Sequence, residues 1–306
     1  MFSLSNRRFG VELEYNAFDG ENRSKSTNDL PEGIYTIANY LSQGIGKNVE
    51  VNKWSYTNNN SKWVIKPDSS CGIEVCSPPV RGLDGCNHLR DAIQQINTCE
   101  KINADQRCSM HVHVEIEDYS LSELAFLIER WVNFEPFFFL LTNDLRWLNQ
   151  YCIPLGFAHH FISENPLPLH TVIDKLSEYK YFVINLYHYA KNRKKTIEFR
   201  CMGNEGCLNS DDAINWVKLL ICFVDRCKEG KQLDPIKFEY KTISEALDFM
   251  QPHKYFNDDE VIMWVISKLS LVLDQRFYNC FQWDGIIRVM KKNILDTIDK
   301  LERNLL

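Results

Sequence analysis

The alternation of apolar and polar side chains predicts strands in four short segments. In residues 9–16 (FGVELEYN), Phe9, Val11, Leu13 and Tyr15 alternate with Gly10, Glu12 and Glu14. A strand turns successive side chains to opposite faces, so Glu12 and Glu14 share one face and the apolar set takes the other. Residues 109–117 (SMHVHVEIE) repeat the layout, with His111, His113, Glu115 and Glu117 opposite Val112, Val114 and Ile116. Residues 196–201 (TIEFRC) set Glu198 and Arg200 against Ile197 and Phe199, and residues 72–76 (GIEVC) set Glu74 against Ile73 and Val75.

Helical spacing governs much of the remainder. Ser120 and Glu123 form a capping box ahead of Leu124, Leu127, Ile128 and Trp131, and Pro136 is expected to kink or end that helix. Asp211 and Asp212 suit a helix N-terminus, followed by Ile214, Val217, Ile221 and Val224. Thr242 and Glu245 form a second capping box, and Ile287, Met290, Ile294, Ile298, Leu301 and Leu305 make a final stripe. These stripes read as packing faces. The stretch 228–235 (KEGKQLDP) reads as a helix stop and linker. Strands mixed with helices precede it and an almost wholly helical pattern follows. The expected organisation is an α+β catalytic domain over 1–230 and a helical extension over 231–306.

Composition narrows the class. The 306 residues are 44% hydrophobic and 25% charged, as in an ordinary globular protein rather than a disordered chain. With 41 acidic against 35 basic residues, bulk nucleic-acid binding is not expected, although 191–195 forms a local basic patch. No apolar run is long enough to cross a membrane, and residues 1–8 are too short and polar for a signal peptide. The expectation is a cytoplasmic protein with no membrane partner. Its eleven scattered cysteines read as small buried hydrophobes, not as a zinc knuckle.

The polar strand faces carry the chemistry. One strand bearing two glutamates is most simply a solvated outer face. Four such strands, rich in Glu and His instead of the usual Lys, Thr and Ser, point to a divalent cation site, because like charges side by side repel unless a cation offsets them. Four carboxylates with one or two histidines suit Mg2+ or Mn2+ better than Zn2+. Magnesium that leaves room for phosphate oxygens belongs to phosphoryl transfer, and Arg200 supplies a planar fork for a carboxylate or phosphoryl group.

The sequence also resembles the amidoligase family, relatives of glutamine synthetase and the glutamate–cysteine ligases. The carriers run in order from residue 8 to about 225: Gly10-Val11-Glu12-Leu13-Glu14, then Asp68-Ser69-Ser70 with Gly72-Ile73-Glu74-Val75 and Ser77-Pro78-Pro79. Met110-His111-Val112-His113-Val114, Tyr151-Cys152-Ile153-Pro154-Leu155, Asn185-Leu186 and Thr196-Ile197-Glu198-Phe199-Arg200 follow. The resemblance implies a curved, mainly antiparallel sheet of glutamine synthetase-like type with flanking helices and a C-terminal helical segment, its concave face holding ATP and divalent cations. It implies Glu12, Glu14, Glu74, His111 and Glu198 as metal ligands, and His113 near the nucleotide. It implies Lys66 and Arg81 as groups reaching phosphate or substrate, and Arg200, with Glu74 and Glu198, in catalysis. Asp68 is either a further ligand or a turn former. One departure is that Arg107-Cys108-Ser109 replaces a glycine-rich approach to the His-x-His strand.

The activity implied is an ATP-dependent carboxylate–amine ligase that forms an amide or isopeptide bond through an acyl phosphate. Small-molecule or peptide acids and amines would be its substrates, and Glu115 or Glu117 is a guess at the base. The same Glu/His set would also serve a metal-dependent hydrolase, and a phosphotransferase of related fold is a third reading. His159 and His160 lie in a loop within reach of a substrate, and Tyr179, Tyr181 and Asn185 precede the Glu198 strand, where they would line or brace the pocket.

Overall fold

The computed structural model describes residues 5–17, 33–46, 49–52, 61–68, 70–142, 146, 149–155, 169–191, 193–230, 243–250, 260–274, 295 and 303. In chain order its elements begin with β1 (Arg8–Ala17), α1 (Gly33–Ile45), β2 (Val49–Val51), β3 (Trp63–Asp68), β4 (Gly72–Cys76) and β5 (Val80–Arg81). Next come α2 (Gly82–Asn97), β6 (Ile102–Asn103), β7 (Met110–Glu115), α3 (Leu121–Leu140), α4 (Leu169–Glu178) and β8 (Ile184–Asn185). The remainder are α5 (Tyr187–Ala190), β9 (Thr196–Met202), α6 (Glu205–Leu208), α7 (Ser210–Lys228), α8 (Ile243–Met250) and α9 (Glu260–Asp274). All four strands expected from alternation are present. The chain divides into two compact units, one of Asn6–Glu115 with Glu198–Val217, the other of Met1–Ser5, Ile116–Ile197 and Lys218–Leu306.

The first unit is an open, mostly antiparallel sheet with helices against it, its strands in the order β2-β3-β4-β1-β7-β9. Strand β1 is its hub. It runs antiparallel to β4, with Glu12 opposite Cys76 and Glu14 opposite Glu74. It runs antiparallel to β7 on its other side, with Glu12 opposite His111 and Gly10 opposite His113. Strand β3 pairs antiparallel with β4, Lys66 opposite Glu74, and β2 lies parallel to β3. Between Cys76 and Val80 the register against β1 slips by one residue, because Phe9 faces Val80 where an unbroken ladder would have placed residue 79. Pro78 and Pro79 have no N–H to give the ladder, and the Ser77 hydroxyl accepts from Val11 N instead (2.8 Å). Gly72, at φ 129°, opens β4 where a side chain would be strained.

The apolar alternates of these strands are buried: Phe9, Val11, Leu13 and Tyr15 on β1, Ile73 and Val75 on β4, and Met110, Val112 and Val114 on β7. Helix α2 buries Cys86, Leu89, Ala92, Ile93 and Ile96. Tyr15 spans the layer, donating its hydroxyl to the carbonyl of Cys207 (2.9 Å). Hydrophobic burial on one side thus fixes which residues the sheet presents on the other.

In the second unit Trp131 stacks on Phe138 at 4.3 Å, and Phe223 meets both edge-on. The Ser120–Glu123 capping box is present, and Glu123 also receives Lys228 (2.9 Å). Helix α3 does not end at Pro136 but runs on to Leu140. Burial of Phe134, Phe137, Phe138 and Phe139 around that proline outweighs the one backbone bond it removes. Helix α7 starts beside Asp211 and Asp212 and stops at Lys228, where the sequence reading placed the stop. Thr242 and the stripe 287–305, apart from residues 295 and 303, lie outside the described residues, as do His159 and His160. Of the ten described cysteines, nine are buried and all are free thiols. No described helix is long and apolar enough to cross a membrane.

Candidate metal and substrate site

Period-two geometry and the β1 register bring every carboxylate and histidine singled out as a ligand onto one polar face within the first unit. Glu14, Glu74, His111, His113 and Glu198 are buried there, and Glu12 is half-buried. His113 Nε2 lies 3.0 Å from Glu12 Oε1. His111 Nδ1 lies 3.6 Å from Glu12 Oε2 and 3.5 Å from Glu198 Oε1, beyond hydrogen-bond length, and has no hydrogen-bond partner among the described residues.

The other edge of that imidazole explains which nitrogen is left over. Ser109 Oγ donates its one hydrogen to Glu14 Oε2 (2.6 Å), since a carboxylate only accepts. The same oxygen meets His111 Nε2 at 3.0 Å, so it must accept there and Nε2 must carry the hydrogen. A neutral His111 then has its lone pair on Nδ1, aimed between two carboxylates. Where Nδ1 carries no hydrogen, it meets the two carboxylates with a lone pair, which suits a cation between them, and a ligand histidine held by a hydrogen bond at its other nitrogen is the usual metal-site arrangement. The residues present therefore fit a divalent ion.

Three groupings bring ligand atoms within 4.8 Å of one another: Glu12–His113–Glu198, Glu12–Glu74–Cys76, and Glu14–Asp68–Cys71. Asp68 is already committed locally. Its Oδ1 accepts from Ser70 N (2.7 Å), the Ser70 hydroxyl and Cys71 N (3.2 Å), so the turn-forming role is evident. Burial would raise its pKa, but the Ser70 and Cys71 hydrogen bonds hold it below the ordinary value.

The carboxylates are not electrostatically alike. Burial, then the charge of Glu12, pushes Glu74 up to about 7 against the pull of Lys66. Lys66 Nζ lies 2.7 Å from Glu74 Oε1; burial would lower it, but Glu74 and Glu12 hold it well above its usual value. Burial also works to raise Glu198, yet Arg200 and then His113 hold it below the carboxylate range. Arg200 Nη1 donates to Glu198 Oε1, which fixes the guanidinium on the site face.

Arg81 stands elsewhere on the sheet. It is exposed and lies opposite Arg8, four residues and so about 14 Å along β1 from Glu12. Glu115 is taken by Arg8, whose Nε donates to Oε1 (2.6 Å) and whose backbone N donates to Oε2 (3.1 Å). Burial raises Glu115, but these contacts bring it below its ordinary value, leaving a weak base. Glu117 is exposed beyond the end of β7. In the second unit Asn185 is buried, Tyr179 is exposed and Tyr181 packs on it at 5.4 Å. Sequence reasoning missed Ser109, Cys71 and Cys76. Ser109 and Cys76 were within its reach, because each lies two residues from a residue already chosen on its strand.

Against known proteins, a family model described as "Putative amidoligase enzyme" matches residues 5–224. No curated protein matches. Among solved structures, the chain is similar to a novel glutamine synthase homolog at 10% identity and TM-score 0.47, covering 94% of this chain and 71% of that one. A bifunctional glutathione synthetase from Pasteurella multocida gives 11% identity and TM-score 0.43 over 88% of this chain; the match spans 47% of that protein. A Plasmodium falciparum glutamine synthetase gives 13% and 0.38, covering 92% and 75%.

Proposed function

This chain belongs to the amidoligase family, and from that premise we propose that it joins a carboxylate to an amine in a reaction driven by ATP. The observation that carries the reading is the buried Nδ1 of His111, which has no hydrogen-bond partner among the described residues and faces Glu12 and Glu198 on a sheet face lined with acids. Glu12, Glu14, Glu74, His111 and Glu198 would hold Mg2+ or Mn2+, which when bound neutralises phosphate charge and aligns the transferring group.

The chemical problem is that a carboxylate is a poor electrophile with no leaving group. Transfer of the γ-phosphoryl of ATP to a substrate carboxylate gives an acyl phosphate and ADP. Attack by the amine, with loss of its proton, then yields the amide and inorganic phosphate. The chain's own residues have separable parts in this. Arg200, anchored by Glu198, would bring its guanidinium charge to the transferring phosphoryl oxygens. Lys66 is a half-exposed ammonium on the same face, placed to meet phosphate or substrate. His113 sets its Nε2 3.0 Å from Glu12 Oε1, and the resemblance implies a nucleotide near it. Glu115 anchors Arg8 and is better read as structural than as the base. The acid and amine are small molecules or peptides.

The test is calorimetric titration with a non-hydrolysable ATP analogue, with and without Mg2+, on wild type, Glu12→Gln and Glu198→Gln. Magnesium-dependent binding in wild type that disappears in both variants is the expected result. Failure of the wild type to bind under either condition would refute the ligase reading.

A further inference from the structure

A thiol stands among the carboxylates. Cys76 lies two residues past Glu74 and opposite Glu12 in the β1–β4 pair, so it shares their face. Its Sγ is 3.1 Å from Glu74 Oε1, and ligand atoms of Glu12, Glu74 and Cys76 all lie within 4.8 Å of one another. The group already gathers around a positive charge. Lys66 Nζ reaches the same Glu74 oxygen at 2.7 Å, on a side chain that is 38% exposed. A long, flexible ammonium so exposed can swing into solvent when a stronger cation competes.

A second pointer comes from the far side of Glu12. There His111 Nδ1, buried and without a hydrogen-bond partner among the described residues, faces Glu12 Oε2 at 3.6 Å. Glu12 therefore stands between two places that call for a cation. The places differ in donor type. The His111 side offers nitrogen and carboxylate oxygens, whereas the Cys76 side offers two carboxylates and a sulfur. A hard ion gains little from sulfur, while borderline and soft divalent ions gain a strong ligand.

We propose that Glu12, Glu74 and Cys76 form a site for a thiophilic divalent cation of the zinc class, with Cys76 as its sulfur ligand and Glu12 shared with the neighbouring position. Binding replaces the Lys66 contact and releases the thiol proton to solvent as the sulfur–metal bond forms. The site shares Glu12 and Glu74 with the set proposed above for Mg2+ but needs no nucleotide, so its test does not depend on the ligase reading.

Cobalt(II) titration of the full chain, oxygen-free and in the presence of excess Mg2+, tests the assignment by the near-ultraviolet charge-transfer absorption of a sulfur–cobalt bond. Wild type is expected to develop the band, saturating at one ion per chain. Cys76→Ser should lose it while keeping the wild-type thermal melting profile, and Cys71→Ser should retain it. Absence of the band in wild type, its persistence in Cys76→Ser, or its loss only in Cys71→Ser overturns the proposal. A readout without substitution stands behind it: Zn2+ should abolish iodoacetamide labelling of Cys76 in the wild-type chain, and unchanged labelling refutes the site. No nucleotide enters either measurement, so failure here and failure of the ligase reading remain distinguishable.

Discussion

Replacing Ser109 by alanine isolates the network that aims His111. The hydroxyl does two jobs, donating to Glu14 Oε2 at 2.6 Å and accepting from His111 Nε2 at 3.0 Å, and all three side chains are buried. Its removal leaves a buried carboxylate short of a donor and a ring N–H without its acceptor. A hydrogen bond to a charged group contributes about 1.5–3 kcal/mol, so the metal-free variant should be less stable by about that much. Nothing then holds the hydrogen on Nε2, and the imidazole is free to place it on Nδ1 and turn that nitrogen from ligand to donor. Loss of such an orienting partner lowers metal affinity by roughly 10–100-fold, which is about 1.4–2.8 kcal/mol of binding free energy. Manganese titration by calorimetry reads the second quantity, urea denaturation the first, and nitrogen-15 NMR of the imidazole reads which nitrogen is protonated. An unchanged Mn2+ affinity in Ser109→Ala, or a wild-type His111 protonated on Nδ1 alone, would sink the argument.

Gly85→Ala tests how tightly α2 sits on β5. The new methyl would fall 2.9 Å from Val80 Cβ and 3.3 Å from its backbone carbon, which cannot swing aside, so a loss of about 1–3 kcal/mol is expected in the denaturation midpoint. Ser120→Ala removes the α3 cap and should lose about 1 kcal/mol by the same measurement. Glu123 links that cap to pH: hydrogen bonds from Lys228, then from Ser120, bring its pKa down to about 2. Because this folded value lies below the ordinary one near 4.3, its stabilisation is complete above about pH 4.5 and is lost as pH falls toward 2. Stability measured against pH should therefore fall less steeply over that window in Glu123→Gln than in wild type, and parallel curves would contradict the assignment.

What the sequence determined by itself was local. Side-chain direction in a strand depends only on parity, so Glu12 with Glu14, His111 with His113, and Glu198 with Arg200 were assigned to common faces from the chain alone. The capping box at Ser120 was equally legible, since its hydrogen bonds span three residues. Parity says nothing about which strands adjoin or in what register. That Glu12 lies between Cys76 and His111, that Lys66 meets Glu74, and that the slip after Cys76 sets Arg81 opposite Arg8 instead of Arg7 are long-range facts set by core burial and by two prolines. Helix α3 passes through Pro136 for the same kind of reason, with packed aromatic rings overriding a local preference. Residue types pointed to a cation site on that face. Which nitrogen of His111 faces Glu12 and Glu198, and which thiol stands beside Glu74, was decided only by tertiary structure, because each rests on how strands far apart in the chain adjoin.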